Sequence, residues 1–169
     1  MMQTTLQTQG TAAPSREQIQ QTQMKVMYLG LAMALGLPLI LMAVGYFIRQ
    51  SGSLAEGSAS PERLFFYALL AVAISEIPAA LFLKKAMLKP LSPSDTGQAV
   101  PSTDYVFSRY LVIFNLSAAC PVYGLVWYLL GGTLPEFALF AVIGLIIFRL
   151  TRPSTEFFYS LFGVRPAIE

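Results

Sequence analysis

The sequence predicts an all-α polytopic membrane protein, with four transmembrane helices arranged as two antiparallel hairpins. Of its 169 residues, 55% are hydrophobic and only 12% are charged, whereas an average soluble domain has about 25% charged residues. The apolar residues form four long blocks, which is typical of membrane spans and not of amphipathic soluble helices. The predicted spans cover residues 26–48, 64–83, 111–130 and 134–150.

Residue types that the chain lacks exclude several kinds of site. It has no histidine, which excludes histidine-ligated haem, histidine-zinc sites and histidine-based catalytic triads. Its single cysteine, Cys120, excludes internal disulfides and cysteine metal clusters. The net charge of +2 is too small to indicate binding to nucleic acid. We therefore expect no metal ion or other cofactor, and the lack of a nucleophile-base pair argues against an enzyme.

The spans divide the chain into three regions. Residues 1–24 are rich in Gln and Thr and lack the apolar core of a signal peptide, so we expect a disordered cytoplasmic tail. Ser15 and Gln18 have the spacing of a capping box, and a short helix could begin there. Residues 25–150 form the transmembrane domain, and residues 151–169 form a cytoplasmic C-terminal segment.

Prolines mark the first two spans and the loop after them. Pro38 lies near the centre of the first span, where it removes one backbone hydrogen bond and should kink the helix. Residues 60–62, Ser-Pro-Glu, supply an N-cap, a proline and an acid, so the second helix is predicted to begin there. Pro78 lies in the inner half of that span, and an ion-coupled carrier or channel would use it as a helix break that forms the site. The segment 89–103, rich in Pro, Ser and Gly, should be a mobile and solvent-exposed loop.

The third and fourth spans are separated by a short turn. Gly131-Gly132 follows the third span, and Thr133 and Glu136 have the spacing of a capping box for the fourth. This pattern predicts a tight antiparallel helix pair in which Gly131 takes a left-handed conformation. The residues expected at closely packed positions are Gly124, Gly131, Gly132 and Gly144.

The C-terminal segment contains a further apolar pattern between Pro153 and Gly163. Four residues there fall at helical spacing: Phe157, Phe158, Leu161 and Phe162. The pattern predicts a short helix that either lies on the membrane surface or packs on the helix bundle of the chain itself.

Lysine and arginine residues near the span ends predict the orientation in the membrane. Nine belong to the N-terminal tail, the second loop or the C-terminal segment: Arg16, Lys25, Lys84, Lys85, Lys89, Arg109, Arg149, Arg152 and Arg165. The first loop holds two, Arg49 and Arg63, and the third loop holds none. This bias places both termini in the cytoplasm, and we expect the chain to lie in a bacterial inner membrane.

Glu76 is the most informative polar residue because it lies close to the centre of the second span. A charged acid at this depth costs about 2.5 to 3.5 kcal/mol, so it should face protein. Asn115 and Ser117 of the third span lie at nearly the same depth and are its expected hydrogen-bond partners. Two interpretations stay open: an ion- or proton-binding carboxylate beside a carbonyl freed by Pro78, or a neutral acid that joins two helices.

The third span contains the sequence NLSAACPVYGLV at residues 115–126, and its end, Tyr-Gly-Leu-Val at 123–126, resembles the second helix of rotary ATP synthase c subunits. In that family an acid five residues before the tyrosine binds the transported proton or sodium ion, and here Ala118 occupies that position. The whole layout resembles small bacterial four-span membrane proteins that share this helix, the Gly131-Gly132 turn and the stretch at 152–156. This resemblance implies a fold and no activity.

These observations favour a structural or accessory subunit of a bacterial inner-membrane complex, respiratory or photosynthetic. The alternative is a small ion- or proton-coupled carrier or channel that uses Glu76. The expected partners are the lipid bilayer and either other membrane subunits or further copies of the chain.

Overall fold

The computed structural model of the chain describes residues 14–51, 63–89 and 101–164. Within these ranges the regular structure is entirely helical. The helices are α1 (Arg16–Leu31), α2 (Leu37–Gln50), α3 (Arg63–Met87), α4 (Thr103–Leu129), α5 (Leu134–Thr151) and α6 (Thr155–Ser160). Four helical segments are long and apolar enough to cross a membrane: Arg16–Gln50, Arg63–Met87, Thr103–Leu129 and Leu134–Thr151. The predicted all-α class and the four candidate membrane helices are confirmed.

The first helix begins ten residues before the predicted span. The Gln18 N–H donates to Ser15 Oγ at 3.3 Å, and the Ser15 N–H donates to Gln18 Oε1 at 3.0 Å. These two bonds complete a capping box, so α1 starts at Arg16. The prediction of a disordered tail is therefore wrong for residues 16–24. For residues 1–13 it lies outside the described part of the chain.

Neither Pro38 nor Pro78, in the first two candidate membrane helices, breaks its helix. Ala32–Gly36 form a π-helical turn in which the Leu37 N–H bonds the carbonyl of Ala32, and α1, this turn and α2 make one continuous N-terminal helix. The wider turn lies directly before Pro38, whose ring nitrogen cannot donate a hydrogen bond to the preceding turn. In α3 the helix likewise continues through Pro78, so the predicted break there is wrong. The predicted helix start at 60–62 and the loop at 90–100 lie outside the described residues.

The turn between α4 and α5 is fixed by glycines and by one carboxylate. Gly131 has a φ of 108°, a conformation that penalises any side chain. One carboxylate oxygen of Glu136 accepts hydrogen bonds from the Thr133 N–H and from Trp127 Nε1, each at 2.8 Å. A side chain at Gly132 would collide with the Trp127 indole. The chain therefore passes from α4 into α5 through a short and crowded connection.

Helices α4 and α5 pack more extensively than any other pair among the described residues. A Cβ atom at Gly124 would lie 3.0 Å from the Cβ of Phe140, and one at Gly144 would lie 2.6 Å from the carbonyl oxygen of Ser117. The Ser117 hydroxyl also donates to the Gly144 carbonyl at 2.7 Å. Ser117 faces Gly144, whereas Gly124, later in α4, faces Phe140, earlier in α5, so the two helices run in opposite directions.

The other two candidate membrane helices lie on different sides of the α4–α5 pair. Both the N-terminal helix and α3 pack against α4 and α5, while the two have very little contact with each other in the part of the chain that the structure describes. The predicted packing of the first two spans as a hairpin is therefore not seen there. In cross-section the four helices form a diamond with α4 and α5 on its short diagonal.

A buried apolar cluster joins the C-terminal segment to the start of α1 and of α4. Phe158 is fully buried beside Tyr110, with ring centroids 6.0 Å apart, and Phe162 packs on Phe158. Ile19 and Val26 of α1 belong to the same cluster and are also fully buried. Of the two interpretations left open for this segment, packing on the chain's own bundle is the one observed. The same contacts explain why α1 extends so far toward the N-terminus.

Two cationic side chains tie the flanking helices to the ends of the α4–α5 pair. At one end Arg49 of α2 donates from Nη1 to the carbonyl of Gly132 at 2.8 Å. At the other end Lys84 of α3 donates from Nζ to the carbonyls of Leu150 and Arg152, each at 3.3 Å. These carbonyls lie at the end of α5, where a helix leaves acceptors without intrahelical partners.

Candidate functional site

Glu76 lies on the face of α3 that meets α4 and α5. Ala73 and Ala80, three residues before and four after it, are 0% and 1% exposed, so this face of the helix is the buried one. The two small side chains allow α3 to approach its neighbours closely. Glu76 itself is half-buried between them and reaches the surface of α4.

The carboxylate of Glu76 accepts two hydrogen bonds from α4. The Tyr123 hydroxyl donates to Oε1 at 2.7 Å, and the Cys120 thiol donates to Oε2 at 3.0 Å. Cys120 and Tyr123 lie three residues apart, so their side chains project from the same face of α4. Each carboxylate oxygen keeps a further lone pair that can accept a proton or contact a cation.

The surroundings of this carboxylate are otherwise apolar. Cys120 belongs to a buried cluster with Ala73 and Ala80, and Tyr123, Leu116 and Ile77 pack against it. No group of three or more Cys, Asp and Glu side chains that could hold a metal ion occurs among the described residues. The geometry therefore suits the binding of a single proton or small ion, or the joining of α3 to α4.

Neither of the two residues predicted to form a hydrogen bond with Glu76 does so. Ser117 is 1% exposed and donates its hydroxyl to the carbonyl of Gly144 in α5. Asn115 is exposed, and its side chain has no hydrogen-bond partner among the described residues. The prediction that Asn115 or Ser117 bonds Glu76 is therefore wrong. Each step along a helix turns the side chain by about 100°, so residues at a similar depth can face different neighbours.

Sequence reasoning missed the partners that the structure shows. In the sequence, Cys120 is informative only as the single cysteine, and Tyr123 only as part of the c-subunit-like motif. The signal that could have found them is the i, i+3 spacing of two donors on one helix face. That spacing becomes informative only when the face of α4 toward α3 is known.

Comparison with protein-family models, with curated proteins and with solved structures finds no match to this chain. The resemblance of the third span to c-subunit helices stays a prediction.

Proposed function

We propose that the chain crosses a bacterial inner membrane four times, with both termini in the cytoplasm, and serves as a structural or accessory subunit of a larger respiratory or photosynthetic complex. Four helices of sufficient length and mean hydropathy support the crossing. The excess of lysine and arginine at one set of helix ends supports the orientation.

The proposal of a larger complex is based on one exposed face of α4. Six residues of α4 are exposed along a single stripe: Tyr105, Ser108, Val112, Asn115, Val122 and Val126. With the half-buried Ala119 between them, the positions recur every three or four residues, the repeat of a helix that packs along another helix. We refer to these seven residues as the Asn115 stripe.

Asn115 is the residue of this stripe that requires a partner. Its amide lies within an apolar span and has no hydrogen-bond partner in the described chain, and an unsatisfied polar group in hydrocarbon costs several kcal/mol. A transmembrane helix of another subunit, with an amide or hydroxyl at the same depth, would satisfy it. The small and β-branched residues around Asn115 suit close packing of such a helix.

We expect Asn115→Leu to release the partner subunits while the chain itself stays folded. An interhelical hydrogen bond contributes about 1 to 2 kcal/mol, so the recovery of co-purified subunits in mild detergent should fall by about tenfold. Thermal stability of the isolated chain should change by less than about 0.5 kcal/mol because the side chain is exposed there.

The matched control is Val142→Leu, an exposed position on α5 away from the stripe. This variant should retain its co-purified subunits. A wild-type chain that purifies alone as a monodisperse particle would contradict the proposed complex.

The orientation is tested by labelling single cysteines. We expect Ser51→Cys, at the end of α2, and Asp104→Cys, in the first turn of α4, to react with a membrane-impermeant maleimide from opposite sides of the inner membrane. Both are made in a Cys120→Ser chain, which keeps a hydroxyl donor near Glu76. Reaction of both cysteines from the same side would refute the topology.

A specific observation also supports the alternative function, an ion- or proton-coupled carrier or channel. The two donors on Glu76 leave lone pairs that can bind the transported ion. If this function is correct, Glu76→Gln should fold normally and abolish flux in reconstituted vesicles, and Tyr123→Phe should reduce it. Equal flux in the parent and in Glu76→Gln would remove Glu76 from any transport mechanism.

A further inference from the structure

A groove runs along α1 where this helix meets the end of α5 and the start of α6. Its volume is about 580 Å³. Four polar residues line one end: Gln20, Gln23, Arg152 and Thr155. Gln23 donates from Nε2 to Thr155 Oγ1 at 3.2 Å, and this bond holds α1 beside α6. We call this feature the α1 groove.

The other end of the α1 groove is apolar. It is lined by Met27, Tyr28 and Leu31 of α1 and by Phe148 of α5. From Gln20 to Leu31 the helix advances by about 16 Å. The groove therefore changes from polar to apolar along its length. Its apolar end lies toward the centre of the N-terminal helix, Arg16–Gln50. A phospholipid has this same order, with its headgroup at the surface and its acyl chains inside.

Two arginines make the polar end positively charged. Arg149 lines a second cavity of about 440 Å³, which shares Gln23, Met27, Arg152 and Thr155 with the α1 groove. Neither Arg149 nor Arg152 has an ion pair or a side-chain hydrogen bond within the described ranges, and no acidic side chain lines either cavity. Guanidinium groups bind phosphate oxygens in pairs of hydrogen bonds, so the two arginines suit a phosphate.

We propose that the α1 groove binds an anionic phospholipid of the cytoplasmic leaflet. Arg149 and Arg152 contact the phosphate, and one acyl chain lies along Met27, Leu31 and Phe148. The placement in the cytoplasmic leaflet rests on the orientation proposed above. A free phosphate would leave the apolar half of the groove unused, and the cationic amine of a zwitterionic headgroup would be repelled by the two arginines.

The test measures binding of phosphatidylglycerol to the purified full-length chain in detergent, by native mass spectrometry. We expect the Arg149→Gln, Arg152→Gln double variant to bind about tenfold more weakly, since hydrogen bonds between charged groups are lost. Arg109→Gln is the matched control, because this arginine stacks on Tyr105 away from the groove. It should bind as the parent does. Thermal unfolding of each variant shows that it is folded.

Two further binding measurements identify the molecule that binds in the α1 groove. Met27→Trp fills the apolar half and should weaken phosphatidylglycerol binding, while inorganic phosphate should compete poorly with the lipid in the parent chain. Equal binding of phosphatidylcholine would overturn the anionic preference, and effective competition by inorganic phosphate would overturn a lipid site. Unchanged binding in the double variant would overturn the proposal. Because this measurement requires no partner subunit, its failure and the failure of the accessory role are separate results.

Discussion

We expect Phe158→Ala to lower the free energy of unfolding by about 3 kcal/mol, the largest effect of any single substitution considered for this chain. The ring is fully buried in the cluster that joins α6 to α1 and α4, and it packs against Tyr110 and Phe162. These three rings lie outside the predicted spans, so water can enter once their contacts open and the hydrophobic penalty applies in full. This change in the free energy of unfolding is measured by thermal or denaturant unfolding in detergent, monitored by circular dichroism.

Phe82→Ala is the control of the same residue type. Phe82 is 71% exposed on α3, so its truncation should change the stability by less than about 0.5 kcal/mol. Similar losses from the two substitutions would show that the C-terminal segment does not pack on the bundle.

The second large effect is expected for Gly144→Ala, which should cost about 2 kcal/mol. The added Cβ would lie 2.6 Å from the carbonyl oxygen of Ser117, a backbone atom that cannot rotate away. α4 and α5 would have to separate, and the hydrogen bond from the Ser117 hydroxyl to the Gly144 carbonyl would lengthen. The midpoint of thermal unfolding in detergent should fall accordingly.

Gly36→Ala provides the comparison at another helical glycine. A Cβ there would meet no atom within 4 Å apart from its chain neighbours and the backbone of its own helix, and alanine is the better helix former by about 1 kcal/mol. This variant should be as stable as the parent or slightly more stable. If Gly36→Ala destabilised the chain more than Gly144→Ala, the close approach of α4 and α5 at Gly144 would be wrong.

The helices could be predicted from the sequence because long apolar blocks have few other structural solutions. The polar contacts could not be predicted with the same success. The depth of a residue along its helix follows from the helix rise, but the direction of each side chain depends on which helices are neighbours. The contacts of Cys120 and Tyr123 with Glu76 depend on the face of α4 that α3 occupies, which no local pattern reveals.

The start of α1 shows that the boundary of a helix can also depend on contacts that the local sequence does not reveal. The capping box at Ser15 and Gln18 was visible in the sequence, yet the polar residues after it made a disordered tail the simpler prediction. The helix persists because Ile19 and Val26 are covered by a segment more than 120 residues later in the chain. Such a long-range contact stabilises residues whose own composition predicts little structure.

The diamond arrangement has a consequence for the order in which the protein is made. Among the described residues, the two candidate membrane helices synthesised first make almost all their packing contacts with the two synthesised last. During translation, the early helices therefore lack a specific neighbour until α4 and α5 have been made. Assembly of this chain is completed from its C-terminal half, and a product that stops before α4 holds two helices with almost nothing to pack against.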